Sequence, residues 1–316
     1  MNESVKTFER RFLFVTGKGG VGKTTVSASL ARALCSRGRQ VLLAVTDASQ
    51  YADLLPEAHW LDDPYPCGQG LSTVLLEPEA ALREYGRLLI KPRLARQALF
   101  ENRYVQSFLK GVPGLPQWAV LGKAWYHSTE TLRGAPRFDT VLFDAPATGH
   151  ALELLRLPKA IAEIAPAGLL RRDAELAWQL LRDRTQSCIA VVTLPEELPS
   201  NETDEFAEHL RSGPGLSLGA VLMNRVRAPL FQAEERAALE RLPALRPGTP
   251  GGEGALEAAR RHAVRERIQL ESVSRARELG APLLLLPEVE ASTPQQLLAT
   301  LTQTLRDSAD PAAHAG

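Results

Sequence analysis

The sequence predicts an α/β fold, a mostly parallel sheet flanked by helices. Three observations lead there. Short apolar runs alternate with stretches of helical period along the 316 residues. Most of the short runs are nearly continuous in apolar residues, as strands buried on both faces are. Glycine- and proline-rich breaks separate the two kinds of segment.

The elements follow in order. Phe12–Thr16 is the first strand, and a helix-forming stretch runs from Thr24 to Arg37. Arg37 lies in its last turn, and Gly38 is placed to take the left-handed position past its end. Val41–Thr46 is the second strand and brings Thr46 and Asp47 to its carboxyl end. Ser72–Leu76 is the third. Pro78 to Trp125 is helix-rich: Glu79–Ile90 is periodic, Leu94–Leu109 is mixed, and Trp118–Tyr126 is apolar. The run Lys110–Pro116 breaks it. Trp118 and Trp125 read as core or interface packing.

Thr140–Asp144 is the next strand. A helix is expected from Ala151 to Leu157, stopped by Pro158. Ile161–Arg184 is a second helix-rich region, broken at Pro166 and Gly168. Strand Ile189–Leu194 precedes a helix capped by Ser200 or Asn201 and running to about Arg211. Ala220–Asn224 is a strand. Arg246–Gly254 is a loop, and it precedes a long amphipathic helix, Ala255–Leu279, ended by Gly280. Strand Leu283–Leu286 and helix Pro294–Arg306 close the fold. Ser308–Gly316 reads as a frayed tail. No internal repeat is visible. The chain therefore reads as one domain over 1–316, with helix-rich additions at about 78–126 and 159–184.

Composition narrows the function classes. Apolar residues make up 44% and charged residues 23%, ordinary values for a globular protein. Lys plus Arg number 37 and Asp plus Glu 37, so no global field favours nucleic acid. No nucleic-acid partner is expected. The apolar runs are far shorter than a membrane span, and Met1–Arg11 lacks a signal-peptide core. A cytoplasmic enzyme is the expectation. Cys35, Cys67 and Cys188 are scattered and form no Cys-x-x-Cys pair. Cys35 and Cys188 read as small core residues.

The chemistry concentrates in Gly17-Lys18-Gly19-Gly20-Val21-Gly22-Lys23-Thr24, between the first strand and the first helix. Strand, glycine-rich loop and helix are the context of a P-loop, and the fold class sharpens to a P-loop NTPase. The glycines let backbone N–H groups approach phosphate oxygens closely. The helix N-terminus adds favourable potential for an anion. Lys23 is suited to the β- and γ-phosphates, and the Thr24 hydroxyl to magnesium. ATP and Mg2+ are the expected ligands. Asp144 ends an apolar strand and fits the second acid of such sites, holding the magnesium shell opposite Thr24. Hydrolysis also needs a group that orients water in line with the γ-phosphate. Asp47 is one candidate; its other reading is a cap on a turn or helix over Ala48–Leu54.

A family resemblance adds to this. Val15-Thr16-Gly17-Lys18-Gly19-Gly20-Val21-Gly22-Lys23-Thr24-Thr25 resembles the deviant Walker A motif of the ArsA, MinD, ParA and nitrogenase-iron-protein group. Together with Thr46-Asp47, Phe143-Asp144, Thr148-Gly149-His150 and Leu155-Arg156-Leu157-Pro158, it resembles the ArsA family in particular. The resemblance implies that Gly17 to Thr25 bind the nucleotide and that Lys18 reaches across a dimer to the partner's nucleotide. It implies that Asp47, in switch I, orients water and that Asp144 to His150 form switch II. It also implies that Asn224 contacts adenine and that Pro287 lies beside the base. A homodimer or a heterodimer with a second family member follows from it.

Departures from the family bear on the load that ATP would drive. Switch I reads Asp47-Ala48-Ser49-Gln50 where Asp-Pro-Ala-His is common, and switch II reads Asp144-Ala145-Pro146-Ala147. Arsenite-pump members carry metalloid-binding cysteines in fused tandem units, and this chain has one unit and no cysteine cluster. The tail-anchored-protein targeting members carry a Cys-x-x-Cys zinc clamp, and Ala255–Leu279 has no cysteine. Their methionine-rich groove is also missing, since Met1 and Met223 are the only methionines. A groove of Leu and Trp from 94–126 and 159–180 remains an expectation. The function expected is a nucleotide-switched ATPase that drives a partner or client, a hydrophobic helix or membrane partner among them. The alternatives are energy coupling for arsenite or anion export, and a MinD- or ParA-like positional switch.

Overall fold

The computed structural model describes residues 7–89, 114–241 and 253–308. The mixed stretch Leu94–Leu109, most of the 246–254 loop and the tail after Ser308 lie outside them.

The core is an eight-stranded sheet. Its strands are β1 (Phe12–Gly17), β2 (Val41–Val45), β3 (Tyr65–Gly68), β4 (Leu71–Leu75), β7 (Thr140–Asp144), β8 (Ser187–Thr193), β9 (Ala220–Val226) and β10 (Leu283–Pro287). The short pair β5 (Thr131–Leu132) and β6 (Ala135–Pro136) stands apart. The sheet order is β10-β9-β8-β1-β7-β2-β4-β3. Every pairing in it is parallel except β3 with β4. All seven apolar runs read from the sequence are strands. The unexpected strand, β3, is the edge: it holds Pro66, is largely exposed, and turns into β4 through Gln69 and Gly70, both at positive φ. An edge strand needs no apolar run, so it leaves little trace in sequence.

The helices are α1 (Lys23–Cys35), α2 (Pro78–Leu89), α3 (Leu115–Thr129), α4 (Thr148–Ile164), α5 (Leu169–Arg182), α6 (Glu197–Ser212), α7 (Ala233–Arg241), α8 (Glu253–Glu278) and α9 (Pro294–Asp307). Alternation along β1 assigns the two faces. Leu13 and Val15 join a core with Val26 and Leu30 of α1 and Leu298 and Leu301 of α9. Phe12 and Phe14 join the opposite core with α3, α4 and α6, through Leu121, Leu154 and Phe206. A third, smaller core forms outside the sheet, where Leu115 and Trp118 of α3 meet Ile161 of α4 and Ala174 and Ala177 of α5. Trp118 is fully buried there. No helix among the described residues is long and apolar enough to cross a membrane.

Two expectations are corrected, and one further helix is added. Helix α4 passes through Pro158 and ends only at Ile164. Its buried stripe Ala151, Leu154, Leu155, Pro158 and Ile161 follows helical spacing, and burying that stripe outweighs the lost hydrogen bond. Helix α6 begins at Glu197, a turn before the expected cap. Ser200 is inside the helix and not its cap: its N–H already donates to the Glu196 carbonyl at 3.0 Å, and its buried hydroxyl donates to the Leu194 carbonyl. Pro199 falls in the first turn, where no N–H is needed. Helix α7 was not anticipated. It buries no residue, and its local signal is Glu235 accepting from the Gln232 N–H at 2.9 Å, half of a capping box.

Candidate active site

The parallel register brings three chain segments to one place. β7 lies between β1 and β2, with Val15 opposite Asp144 and Asp144 opposite Val45. The segments leaving these strands at their carboxyl ends therefore converge, as ligand-binding segments of open α/β sheets do. They line a cavity of about 380 Å³ that includes Gly17, Lys18, Gly19, Gly20, Gly22, Lys23, Thr24, Thr46, Asp47, Gln50 and Asp144. A larger cavity of about 1010 Å³ lies by the C-terminal end of α1 and α9, and includes Arg32, Cys35 and Arg306. It holds neither the glycine loop nor the paired acids.

A side chain at either of two loop glycines would force its surroundings to shift. A Cβ on Gly17 would stand 2.4 Å from the Val192 carbonyl oxygen of the neighbouring strand. Gly22 precedes α1 in the left-handed region at φ 86°, and a Cβ there would meet Asn224 Nδ2 at 2.5 Å. Val21 points into the core instead of the cavity.

Asp144 is the centre of the polar network. Its Oδ1 accepts from Lys23 Nζ at 2.7 Å and from Ser27 Oγ at 3.2 Å. Its Oδ2 accepts from Tyr51 OH at 2.7 Å. The carboxylate is 5% exposed, so these partners replace the water it gave up. Burial and the facing carboxylate push the Tyr51 hydroxyl well above the ordinary phenol range, which keeps it a donor. Asp47, by contrast, is exposed. Its Oδ1 accepts from Ser49 N at 3.0 Å and Ser49 Oγ at 2.6 Å, and its Oδ2 from Gln50 Nε2 at 2.8 Å. These bonds, Ser49 first, hold its carboxyl below the usual carboxylate range. Asp47 thus caps a single 3-10 turn, Ala48–Tyr51. Thr24 Oγ1 donates to Gln50 Oε1 at 2.8 Å. Thr16 Oγ1 donates to the Pro146 carbonyl at 2.7 Å, tying β1 to the segment after β7.

The remaining expected residues sit around this centre. Lys18 lines the cavity and forms an ion pair with Glu202 of α6. Thr25 is in the first turn of α1, outside the cavity lining. Asn224 is buried behind the loop and donates to the Val21 carbonyl at 3.0 Å. Pro287 is exposed at the end of β10 and does not line the cavity. Tyr51, Ser27 and Glu202 carry no signal in the sequence, and Gln50 stands out there only as a departure in switch I, without a role. For three of them the partners are distant in the chain: 117 residues for Ser27 and Asp144, 93 for Tyr51 and Asp144, and 184 for Glu202 and Lys18.

The donor set fits magnesium, a hard cation that takes oxygen ligands and keeps several waters. Thr24 and Asp144 offer oxygen to one cavity. Among the described residues no group of three or more His, Cys, Asp or Glu could hold a metal, so phosphate oxygens and water would complete the shell.

Comparison with known proteins agrees with this geometry. The profile of the family described as Anion-transporting ATPase matches residues 10–166. The chain is 32% identical to the ATPase BagA of Mycobacterium tuberculosis over 226 residues, 68% of this chain and 65% of that protein. It is 30% identical to a putative arsenical pump-driving ATPase of Halobacterium salinarum over 244 residues, 70% of this chain and 36% of that one. It is 30% identical to the ATPase GET3 of Kluyveromyces lactis over 173 residues, 52% and 50% of the two chains. The matches span 65% or less of these relatives' lengths. The glycine loop after β1, the acid at the end of β7 and the profile that spans both identify the chain as a member of the anion-transporting, or ArsA, ATPase family.

Proposed function

We propose that this chain binds Mg-ATP and hydrolyses it to ADP and phosphate, as a nucleotide-switched dimer that drives a partner or client. The observation that carries the reading is one cavity lined by the glycine loop, Lys23, Thr24, Asp47 and Asp144. Backbone N–H groups of Gly17 to Thr25 bind the phosphates, and Lys23 leaves Asp144 to neutralise their charge. Thr24 and Asp144 hold magnesium, which offsets charge on the phosphate oxygens. Asp47 orients the attacking water, since positioning is most of the catalysis in such sites. Asn224 supports the loop from behind and meets the base with its remaining amide atoms, next to Pro287. Lys18 exchanges Glu202 for a phosphate in the partner protomer. The test is phosphate release from ATP by the purified chain with magnesium and with chelator. No magnesium-dependent release under any nucleotide condition would sink the reading.

For the load we propose a hydrophobic helix, handled in the cytoplasm by the helical additions at 78–126 and 159–184 of the same domain. Ile164, Leu169 and Leu176 are exposed on α4 and α5, which supports it. Nucleotide-dependent capture of a synthetic apolar helix tests it. Anion export is the second reading, favoured by relatives named as arsenical pump-driving ATPases. Thiol chemistry weighs against arsenite: burial pushes Cys35 up to about 11 and Cys188 to about 12, so neither offers a thiolate. Stimulation of ATPase turnover by arsenite would reverse that preference.

A further inference from the structure

We propose that Gln50 is a positioning residue that ties the metal-binding hydroxyl of Thr24 to the water-orienting carboxylate of Asp47. The proposal rests on the roles given to Thr24 and Asp47 above.

One side-chain amide touches both groups. Thr24 Oγ1 donates to Gln50 Oε1 at 2.8 Å, and Gln50 Nε2 donates to Asp47 Oδ2 at 2.8 Å. The orientation of the amide follows from chemistry. An ionised carboxylate only accepts, so the NH2 group must face Asp47 and the carbonyl oxygen must face Thr24. Reversing the amide would set two acceptors against each other and leave the Thr24 proton facing a donor. Ser49 holds the other oxygen of Asp47 through its N–H and its hydroxyl. Asp47 is thus fixed from both sides by the two residues at which Asp47-Ala48-Ser49-Gln50 departs from Asp-Pro-Ala-His and which touch it.

The bridge has a direction. The Thr24 hydroxyl donates its hydrogen bond to Gln50, which leaves the lone pairs of Oγ1 available as ligands. Polarisation of that O–H by a cation on Thr24 strengthens its bond to Gln50 and steadies the amide that holds Asp47. Occupancy of the metal position and placement of the water-orienting acid are then coupled through one residue. Gln50 is exposed, so each bond competes with water and carries a modest net worth, equivalent to about a fivefold effect.

Two variants separate the halves of the bridge. Gln50→Leu removes both bonds. Gln50→Glu keeps an acceptor for Thr24 and sets a second carboxylate against Asp47. Two quantities are read: the magnesium concentration at half-maximal tightening of ATP binding, measured at equilibrium, and kcat. Gln50→Leu should leave magnesium-free ATP affinity unchanged, raise the magnesium midpoint about fivefold and lower kcat at least about fivefold. Gln50→Glu should keep the wild-type midpoint or better it, and lose kcat. The proposal is overturned if Gln50→Leu matches wild type in both quantities, or turns over faster. It is also overturned if both variants shift midpoint and kcat alike, which marks a merely structural amide. Asp47→Asn separates the layers. Full turnover in that variant would remove the underlying reading; no turnover there with a wild-type Gln50→Leu would remove this inference alone.

Discussion

Lys23 Nζ lies 2.7 Å from Asp144 Oδ1, with the two side chains 17% and 5% exposed. A largely buried lysine and a buried carboxylate hold each other at the cavity lined by the glycine loop. The pair gives each buried charge a partner of opposite sign. Breaking it leaves Asp144 with Ser27 and Tyr51 as hydrogen-bond donors. Lys23→Ala should therefore abolish ATP binding, as read by equilibrium titration with a labelled nucleotide. Wild-type affinity in that variant would refute the phosphate-loop assignment.

Asp47 lines the same cavity and is held by Ser49 and Gln50. Asp47→Asn should keep ATP affinity and lower kcat by about 10² or more, the scale on which misplacing a reactant acts. The pH profile carries a sign. The Asp47 pKa is lowered from 3.8, so the carboxylate is ionised from neutral pH down past the ordinary range. Its hydrogen bonds to Ser49 and Gln50 stabilise the turn above the unfolded pKa, and are lost as pH falls through the depressed folded value. No acid limb from Asp47 is expected in kcat above about pH 5. A limb centred near pH 6 in wild type, absent in Asp47→Asn, would contradict this placement.

The parallel strands and the glycine loop were legible because their physics is local. Burial on both faces demands continuous apolar runs, and the loop needs glycines, lysine and threonine in sequence. What escaped lacked a local demand. Strand β3 is an exposed edge with Pro66, and α7 buries nothing. Pro158 was misread because its burial, not its backbone chemistry, decides the course of α4. Within the site, Lys23, Thr24, Asp47 and Asp144 were each visible. Their connections were not: Tyr51 reaches Asp144 across 93 positions, and Asn224 reaches Val21 across 203. Only the order of strands in the sheet brings those pairs together.

Asn224 and Gly22 constrain each other behind the loop. The amide occupies the space a Gly22 side chain would need, and it satisfies the Val21 carbonyl. Asn224→Leu removes that donor from a buried acceptor, which costs about 1–3 kcal/mol. Gly22→Ala adds left-handed strain to the clash, and backbone strain of this kind costs about 1–3 kcal/mol before the amide moves. Both should lower the thermal midpoint of the nucleotide-free protein. Restored stability is not expected in the double variant Gly22→Ala with Asn224→Ala, because the positive φ remains. A double variant as stable as wild type would show that the clash alone explains the glycine.

The three thiols should separate by reactivity. Cys188 is 1% exposed in β8, and burial pushes its thiol up to about 12. Cys35 ends α1 half-buried, and burial pushes it to about 11 despite the nearby Arg32. At pH 8 both are thiols, and the thiolate is the reacting species. Cys67 is half-buried on the exposed edge strand β3, with its Sγ 3.2 Å from Thr73 Oγ1. A disulfide reagent at pH 8 should therefore modify one thiol quickly in the folded protein and the other two only after unfolding. Cys67→Ser should remove the fast phase and leave the total in denaturant lower by one. A fast phase that persists in Cys67→Ser would place an accessible thiolate at Cys35, beside the larger cavity, and would restore a thiol ligand to the anion-export reading.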